Sequence, residues 1–216
     1  MPDGTAPPSA ATGPADGTRA TPRFDAVVLA GGRGSRLGGS SKPEVVVGGR
    51  ALLDHALAAV QDATQVVIVG PPSVSRPGIA TVLEDPPDGG PVAGLAAGLA
   101  ALSSPSAFVV VLACDVPRAG AALPALLSAA SVDGVDGARL VSSDGHPQHL
   151  VAVYRSPALT SALRRLTTVH GASMRALLAA LTLADVPDTD DSAADADTWA
   201  DVERLDASMN AGRIDP

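Results

Sequence analysis

Ala26-Val27-Val28-Leu29-Ala30 followed by Gly31-Gly32-Arg33-Gly34-Ser35-Arg36-Leu37-Gly38-Gly39-Ser40-Ser41-Lys42-Pro43 is an apolar β-forming run that opens without a break into glycine, serine and cations. A short uninterrupted run of Val and Leu suits a strand covered on both faces, the situation of a parallel sheet. Glycine has no Cβ, so the N–H groups of such a loop approach an anion closely. Lys42 is the single lysine among fifteen basic residues; every other one is arginine. An ammonium is a compact point charge suited to a phosphate, where a planar guanidinium demands more room. The segment therefore reads as a nucleotide-phosphate loop, with a flexible Gly/Ser turn carrying solvated charges as the plain alternative. Spacing sets it apart from two better-known loops. A P-loop needs Gly-Lys-Ser/Thr in succession, and Ser41-Lys42-Pro43 breaks it. The dinucleotide fingerprint needs G-x-G-x-x-G, whereas Gly32, Gly34 and Gly38 run as G-x-G-x-x-x-G. Pro43 stops a helix from continuing straight on from Lys42.

Beyond this loop, β-branched runs alternate with Ala/Leu-rich stretches. Strands are expected at 26–30, 65–69, 79–83 and 107–113, and helices at 51–61, 92–102, 119–130, 158–166 and 173–180. Residues 137–143 and 149–154 read as a later strand pair turned by Asp144-Gly145. From Thr198 onward one short strand and a last helix are expected. The alternation predicts a three-layer α/β/α sandwich with a mostly parallel, Rossmann-like sheet. Residues 1–22 are rich in Pro, Gly, Ala, Thr and Asp and almost devoid of large apolar side chains, the composition of a disordered tail. A single domain is expected over 23–216.

The composition limits the partners. With 216 residues and 46% hydrophobic residues the chain can bury a full core, and at 2% aromatic residues that core is built of Val, Leu and Ala. A net charge of -8 leaves no basic excess for a nucleic-acid backbone, so no nucleic-acid partner is expected. Arg33, Arg36 and Lys42 form the local cationic cluster that a small phosphate ligand needs. One cysteine, Cys114, rules out an internal disulfide and fits a reducing compartment. There is no apolar run of membrane-spanning length and no leader pattern, so a cytoplasmic protein without a membrane is expected. Nothing in the sequence speaks to oligomeric state.

Ligands of open parallel sheets sit beyond the carboxyl ends of the strands. After the strand at 79–83 come Glu84-Asp85-Pro86-Pro87-Asp88-Gly89-Gly90-Pro91, and after that at 107–113 come Cys114-Asp115-Val116-Pro117. Asp115, at the rim of a dry strand, is a candidate ligand for magnesium, which takes one or two carboxylates plus substrate phosphates; the alternative is a helix N-cap. Asp85 is a weaker candidate beside a plain turn carboxylate. Gly94 and Gly98 bare one face of a helix begun by Pro91, for close approach of a ligand or for packing on a strand. Cys114 reads as a small buried hydrophobe rather than a nucleophile. The four histidines show no metal spacing.

In this order the blocks resemble the MobA-like nucleotidyltransferases, whose best-known members are molybdenum cofactor guanylyltransferases. The pattern L-A-G-G-x-x-x-R-M/L-G and a following Lys is matched by Leu29 to Gly38 and Lys42. An acid before G-P-L/V-x-G is matched by Asp85 and Gly90-Pro91-Val92-Ala93-Gly94, and a strand ending C/A-D-x-P by Cys114-Asp115-Val116-Pro117. The resemblance implies a fold of the nucleotide-diphospho-sugar transferase type. It implies that Leu29, Ala30, Gly31 and Gly32 cradle base and phosphates, that Lys42 contacts the phosphates, and that Asp85 holds the nucleoside end. Arg36 and Lys42 would offset charge on the leaving pyrophosphate, and Asp115 would hold Mg2+. The family's closing N-x-N or D-x-D is sought at Thr198–Glu203, where Asp201 would be a second metal ligand and Glu203 departs from the pattern. Gly70-Pro71 stands where members carry a base-touching Asn, and Gln148-His149 where many carry His-Pro. The implied activity moves a nucleoside monophosphate from an NTP, preferably GTP, to a phosphorylated acceptor, preferably molybdopterin. CTP with the same acceptor, a sugar phosphate, and an inactive nucleotide-binding accessory protein are the alternatives.

Overall fold

A computed structural model describes residues 21–31 and 41–211. Nine strands and six α-helices are formed there: β1 Phe24–Leu29, β2 Val46–Val47, β3 Arg50–Ala51, α1 Leu52–Ala59, β4 Val66–Val69, β5 Ala80–Val82, α2 Pro91–Ala100, β6 Phe108–Ala113, α3 Leu123–Ala130, β7 Gly137–Val141, β8 Pro147–Arg155, α4 Ser156–Arg165, α5 Met174–Leu178, β9 Leu183–Pro187 and α6 Trp199–Ala211. Seven strands form one sheet in the order β5-β4-β1-β6-β8-β7-β9. The pairs β5/β4, β4/β1, β1/β6 and β7/β9 are parallel, whereas β8 runs antiparallel to β6 and β7. This is the expected α/β/α sandwich with a mostly parallel sheet.

The Val-rich runs are continuous because both faces are covered. Ala26, Val28, Ile68, Val110 and Leu112 pack with α1 and α3 through Leu53, Ala56, Leu123, Leu126 and Leu127. The alternate residues Val27, Val67, Val69, Val109 and Val111 pack with α2, α4 and α5 through Leu95, Leu159 and Leu177. Each such side chain taken from water is worth about 1.5–3 kcal/mol. A third, smaller cluster joins α6 to the β2 region: Val45, Val47 and Leu52 meet Ala196, Val202 and Leu205.

Register brings the site together. Leu29 pairs with Val69 and with Ala113, and Val69 pairs with Val82, so four strands end in one row. The residues that follow them share one edge. Past the row, Cys114 N–H donates to Leu29 O at 3.0 Å, and Gly70 N–H to Val82 O at 2.8 Å. Asp25, fully buried in β1, closes the opposite end by accepting from Ser106 N–H at 2.6 Å and Ser106 Oγ at 3.0 Å.

Several expectations need adjustment. The helix expected over 119–130 begins as a 3-10 turn, Ala119–Ala122, and becomes α-helical at Leu123, because Pro124 has no N–H to give and is tolerated only in a first turn. The β2–β3 hairpin was not expected, although Gly48 and Gly49, with φ of 58° and 77°, supply its two-residue turn. The late strand lies at β9, not after Thr198, where the chain goes directly into α6. Asp144-Gly145 turns β7 into β8 as expected, with Gly145 at φ 85°. The expected tail, 1–22, lies outside the described residues but for its last two. Among the described residues no helix is long and apolar enough to cross a membrane.

Candidate active site

At the shared strand edge lies a cavity of about 470 Å³. Leu29 at the end of β1 and Gly31 beyond it, Val69 from β4, Glu84 and Asp88 beyond β5, Pro91 and Gly94 on α2, Cys114 and Asp115 beyond β6, and Lys42 all line it. A Gly or Pro within a few residues of each strand end, Gly31, Gly70, Pro86 and Pro117, turns the chain there.

Lys42 sits in a single 3-10 turn, Lys42–Glu44, whose Pro43 is buried. Its Nζ donates to Asp115 Oδ2 at 2.7 Å and also to Asp197 Oδ1. The Lys42 side chain is 16% exposed. Burial pulls the ammonium towards neutrality, but the hydrogen bonds and charges of Asp115 and Asp197 outweigh it and hold Lys42 above the ordinary lysine value. Asp197 is brought to Lys42 because Ala196 N–H donates to Asp115 O at 2.9 Å, which pins the strap before α6 against the end of β6. Asp195, two residues earlier, has its carboxyl pushed up by burial and by the charges of Asp197 and Asp115.

The donor set fits a divalent cation. Two hard carboxylates already converge on one ammonium. Among the described residues no group of three or more His, Cys, Asp or Glu is arranged to hold a metal. Two carboxylates alone are the protein share that magnesium takes when substrate phosphates complete its shell.

The structure thus brings Leu29, Gly31, Lys42 and Asp115 together, as the sequence led us to expect. Ala30 is buried beside them, its N–H donating to Val69 O at 2.8 Å. Gly32 and Arg36 lie outside the described residues. Two of the expected residues stand apart from the cavity. Asp85 is exposed and is not part of the cavity wall, which takes its neighbours Glu84 and Asp88 instead. Asp201 turns its carboxylate to its own helix start, accepting from Thr198 N–H at 2.9 Å and Thr198 Oγ1 at 2.6 Å, and pairs with Arg204 Nη1 at 2.9 Å. The hydrogen bonds from Thr198 hold it below the usual carboxylate range.

Asp197 was missed as a site residue. The signal was present: Asp195-Ala196-Asp197 is itself D-x-D, just before the last helix. Of the two glycines on α2, Gly98 serves packing, since a Cβ there would meet Val27 Cγ1 at 2.6 Å. Gly94 lines the cavity. Cys114 is buried, and burial pushes its thiol up to about 12, which suits an inert wall residue.

Comparison with known proteins identifies the family. The MobA-like NTP transferase domain matches residues 26–186. A molybdenum cofactor guanylyltransferase of Acidiphilium cryptum is 38% identical over 136 residues, 60% of this chain and 65% of that relative, so slightly under two thirds of its length is spanned. A probable molybdenum cofactor guanylyltransferase of Chloroflexus aggregans is 35% identical over 165 residues, 72% of this chain and 75% of the relative. Among solved structures, molybdopterin-guanine dinucleotide biosynthesis protein A from Archaeoglobus fulgidus superposes with a TM-score of 0.67 over 87% of this chain and 100% of its own, at 23% identity, a likeness of fold. With three quarters of its length inside the family's domain and the strand-edge constellation in place, the chain belongs to the MobA-like NTP transferase family, and so to the nucleotidyltransferases.

Proposed function

We propose that the chain transfers a guanylyl group from GTP to the terminal phosphate of molybdopterin, releasing pyrophosphate. The observation that carries this reading is the meeting of Lys42 and Asp115 at one cavity beyond the strand ends, with Asp197 paired to the same ammonium. The relatives' names supply the acceptor. The acceptor phosphate oxygen bonds to the α-phosphorus in line as the bond to the β-phosphate oxygen breaks, with no covalent enzyme intermediate. Positioning and charge neutralisation then do most of the work.

In this reading Leu29, Ala30, Gly31 and Gly32 wall the nucleotide, while the Ala30 N–H stays in its bond to Val69 O. Lys42 turns its ammonium from the carboxylates to the triphosphate, and with Arg36 offsets charge on the departing pyrophosphate. Asp115 and Asp197 would hold Mg2+, which when bound neutralises the phosphates and polarises the reacting phosphorus. Glu84 supports guanine: its carboxylate on a largely apolar wall can accept from both N1–H and the 2-amino group, where cytosine offers a single amino group. We assign the reaction to the cytoplasm.

Pyrophosphate release measured with molybdopterin, Mg2+ and each of the four NTPs tests the proposal. Release with GTP alone is expected. Release with CTP alone would transfer the reading to cytidylyl transfer, and no release with any NTP would overturn it.

A further inference from the structure

The residues that follow Lys42 are tied into the fold. Glu44 shares the 3-10 turn of Lys42, and its carboxylate takes a two-armed grip from Arg76: Nη1 donates to Oε1 at 3.0 Å and Nη2 to Oε2 at 3.2 Å. Arg76 Nε donates to Asp54 Oδ1 on α1 at 2.7 Å, and Nη1 donates further to Val74 O and Ser75 O, each at 3.3 Å. One guanidinium thereby ties the β4–β5 connection, helix α1 and the Lys42 turn into one body. Neither Arg76 nor Glu44 lines the cavity. Half-exposed ion pairs add little to folding, but a fork-to-fork pair fixes direction as well as distance.

We propose that Arg76 is a positioning residue for Lys42: through its fork to Glu44 it sets the turn that holds the ammonium between Asp115 and Asp197. The consequence for catalysis rests on the reading of Lys42 as a phosphate contact; the effect on the lysine itself does not.

Because Lys42 is the only lysine, brief treatment of the full chain with an amine-acylating reagent, read by peptide mass spectrometry, reports one side chain. Held by two carboxylates and 16% exposed, it should label slowly in the native protein. Arg76→Met and Glu44→Gln should each raise the Lys42 rate several-fold with an unchanged far-UV spectrum. The double variant should label no faster than either single one, because both act through one contact. Asp54→Asn, which leaves the two-armed grip on Glu44 in place, should stay near the native rate. Native-rate labelling in both Arg76→Met and Glu44→Gln overturns the proposal, and so does equal acceleration in Asp54→Asn, which would mean general loosening. Should Arg76→Met fail to fold, Glu44→Gln on its exposed side chain carries the same test. In the same variants Mg2+-dependent GTP affinity should fall with the labelling change. If labelling rises while affinity holds, positioning stands and the phosphate-contact reading of Lys42 is the part that fails.

Discussion

Asp197 and Asp201 stand four residues apart and face different charges. Asp197 shares the Lys42 ammonium with Asp115, whereas Asp201 is engaged by Thr198 and Arg204. Asp197→Asn should therefore cut pyrophosphate release by about a hundred-fold or more, the scale on which removing one transition-state charge contact is felt. Its melting temperature should scarcely move, since part-exposed ion pairs contribute about 1 kcal/mol at most. Asp201→Ala should do the reverse, losing about 1 kcal/mol of helix capping while keeping most turnover. Equal loss of turnover in the two variants would return Asp201 to the metal site. A second prediction concerns alkaline pH. The folded Cys114 thiol is pushed up to about 12, whereas in the unfolded chain it ionises near about 8.5. Over that window the unfolded state binds fewer protons, so stability falls as pH rises, by at most about 1.4 kcal/mol per unit. Lys42, also raised, acts in the same direction but only above the ordinary lysine value of about 10.4. Urea unfolding of Cys114→Ala should show a flatter decline between about pH 8.5 and 10.4, and an unchanged slope there would refute the assignment.

Helix α2 shows how one element serves fold and site at once. At Gly98 an added methyl would meet Val27 Cγ1 at 2.6 Å and Val69 Cγ2 at 2.9 Å, so Gly98→Ala should push α2 off the sheet at a cost of about 1–3 kcal/mol. At Gly94 the nearest atoms are Val69 Cγ1 at 3.3 Å, Leu29 Cδ2 at 3.5 Å and Glu84 Oε2 at 3.9 Å, side chains of the cavity wall. Gly94→Ala should keep its melting temperature and raise KM for the nucleotide; thermal melts beside steady-state kinetics separate the two effects. The sequence announced both glycines but not their division of labour, which depends on the register of α2 against β1 and β4. The same limit runs through the other elements. The doubly covered strands were legible because burial on both faces leaves an unbroken Val run. β9 was not, because Leu183-Ala184-Asp185-Val186-Pro187 lies at a sheet edge, half covered and ending in proline. Asp115 was legible from its strand end. Asp197 was passed over because three acids crowd residues 195–201, and only the long-range bond from Ala196 N–H to Asp115 O decides which of them turns inward.

At the scale of the molecule, the site is assembled from two bodies of unequal strength. The sheet and its two large clusters supply Asp115 and the cavity wall. The strap that carries Asp197 and helix α6 is held by the small third cluster, where Leu205 is 2% exposed. Elements with few buried contacts open at lower free energy than the core, so α6 should undock before the sheet unfolds, and Asp197 should leave Lys42 and Asp115 when it does. Leu205→Ala probes this directly. Truncation in a large core costs about 2–5 kcal/mol of global stability, but here the loss should fall on the docking equilibrium. Hydrogen exchange followed by mass spectrometry should show faster exchange in α6, residues 192–198 and the β2–β3 hairpin, with β1, β4 and β6 protected as in the native chain. Bound GTP with Mg2+ should restore protection to α6, because a ligand held by both Asp115 and Asp197 favours the docked state by its binding free energy. Uniform acceleration across the sheet would mean that the strap and the core unfold as one unit, and that the active site is rigid by construction rather than closed by its last helix.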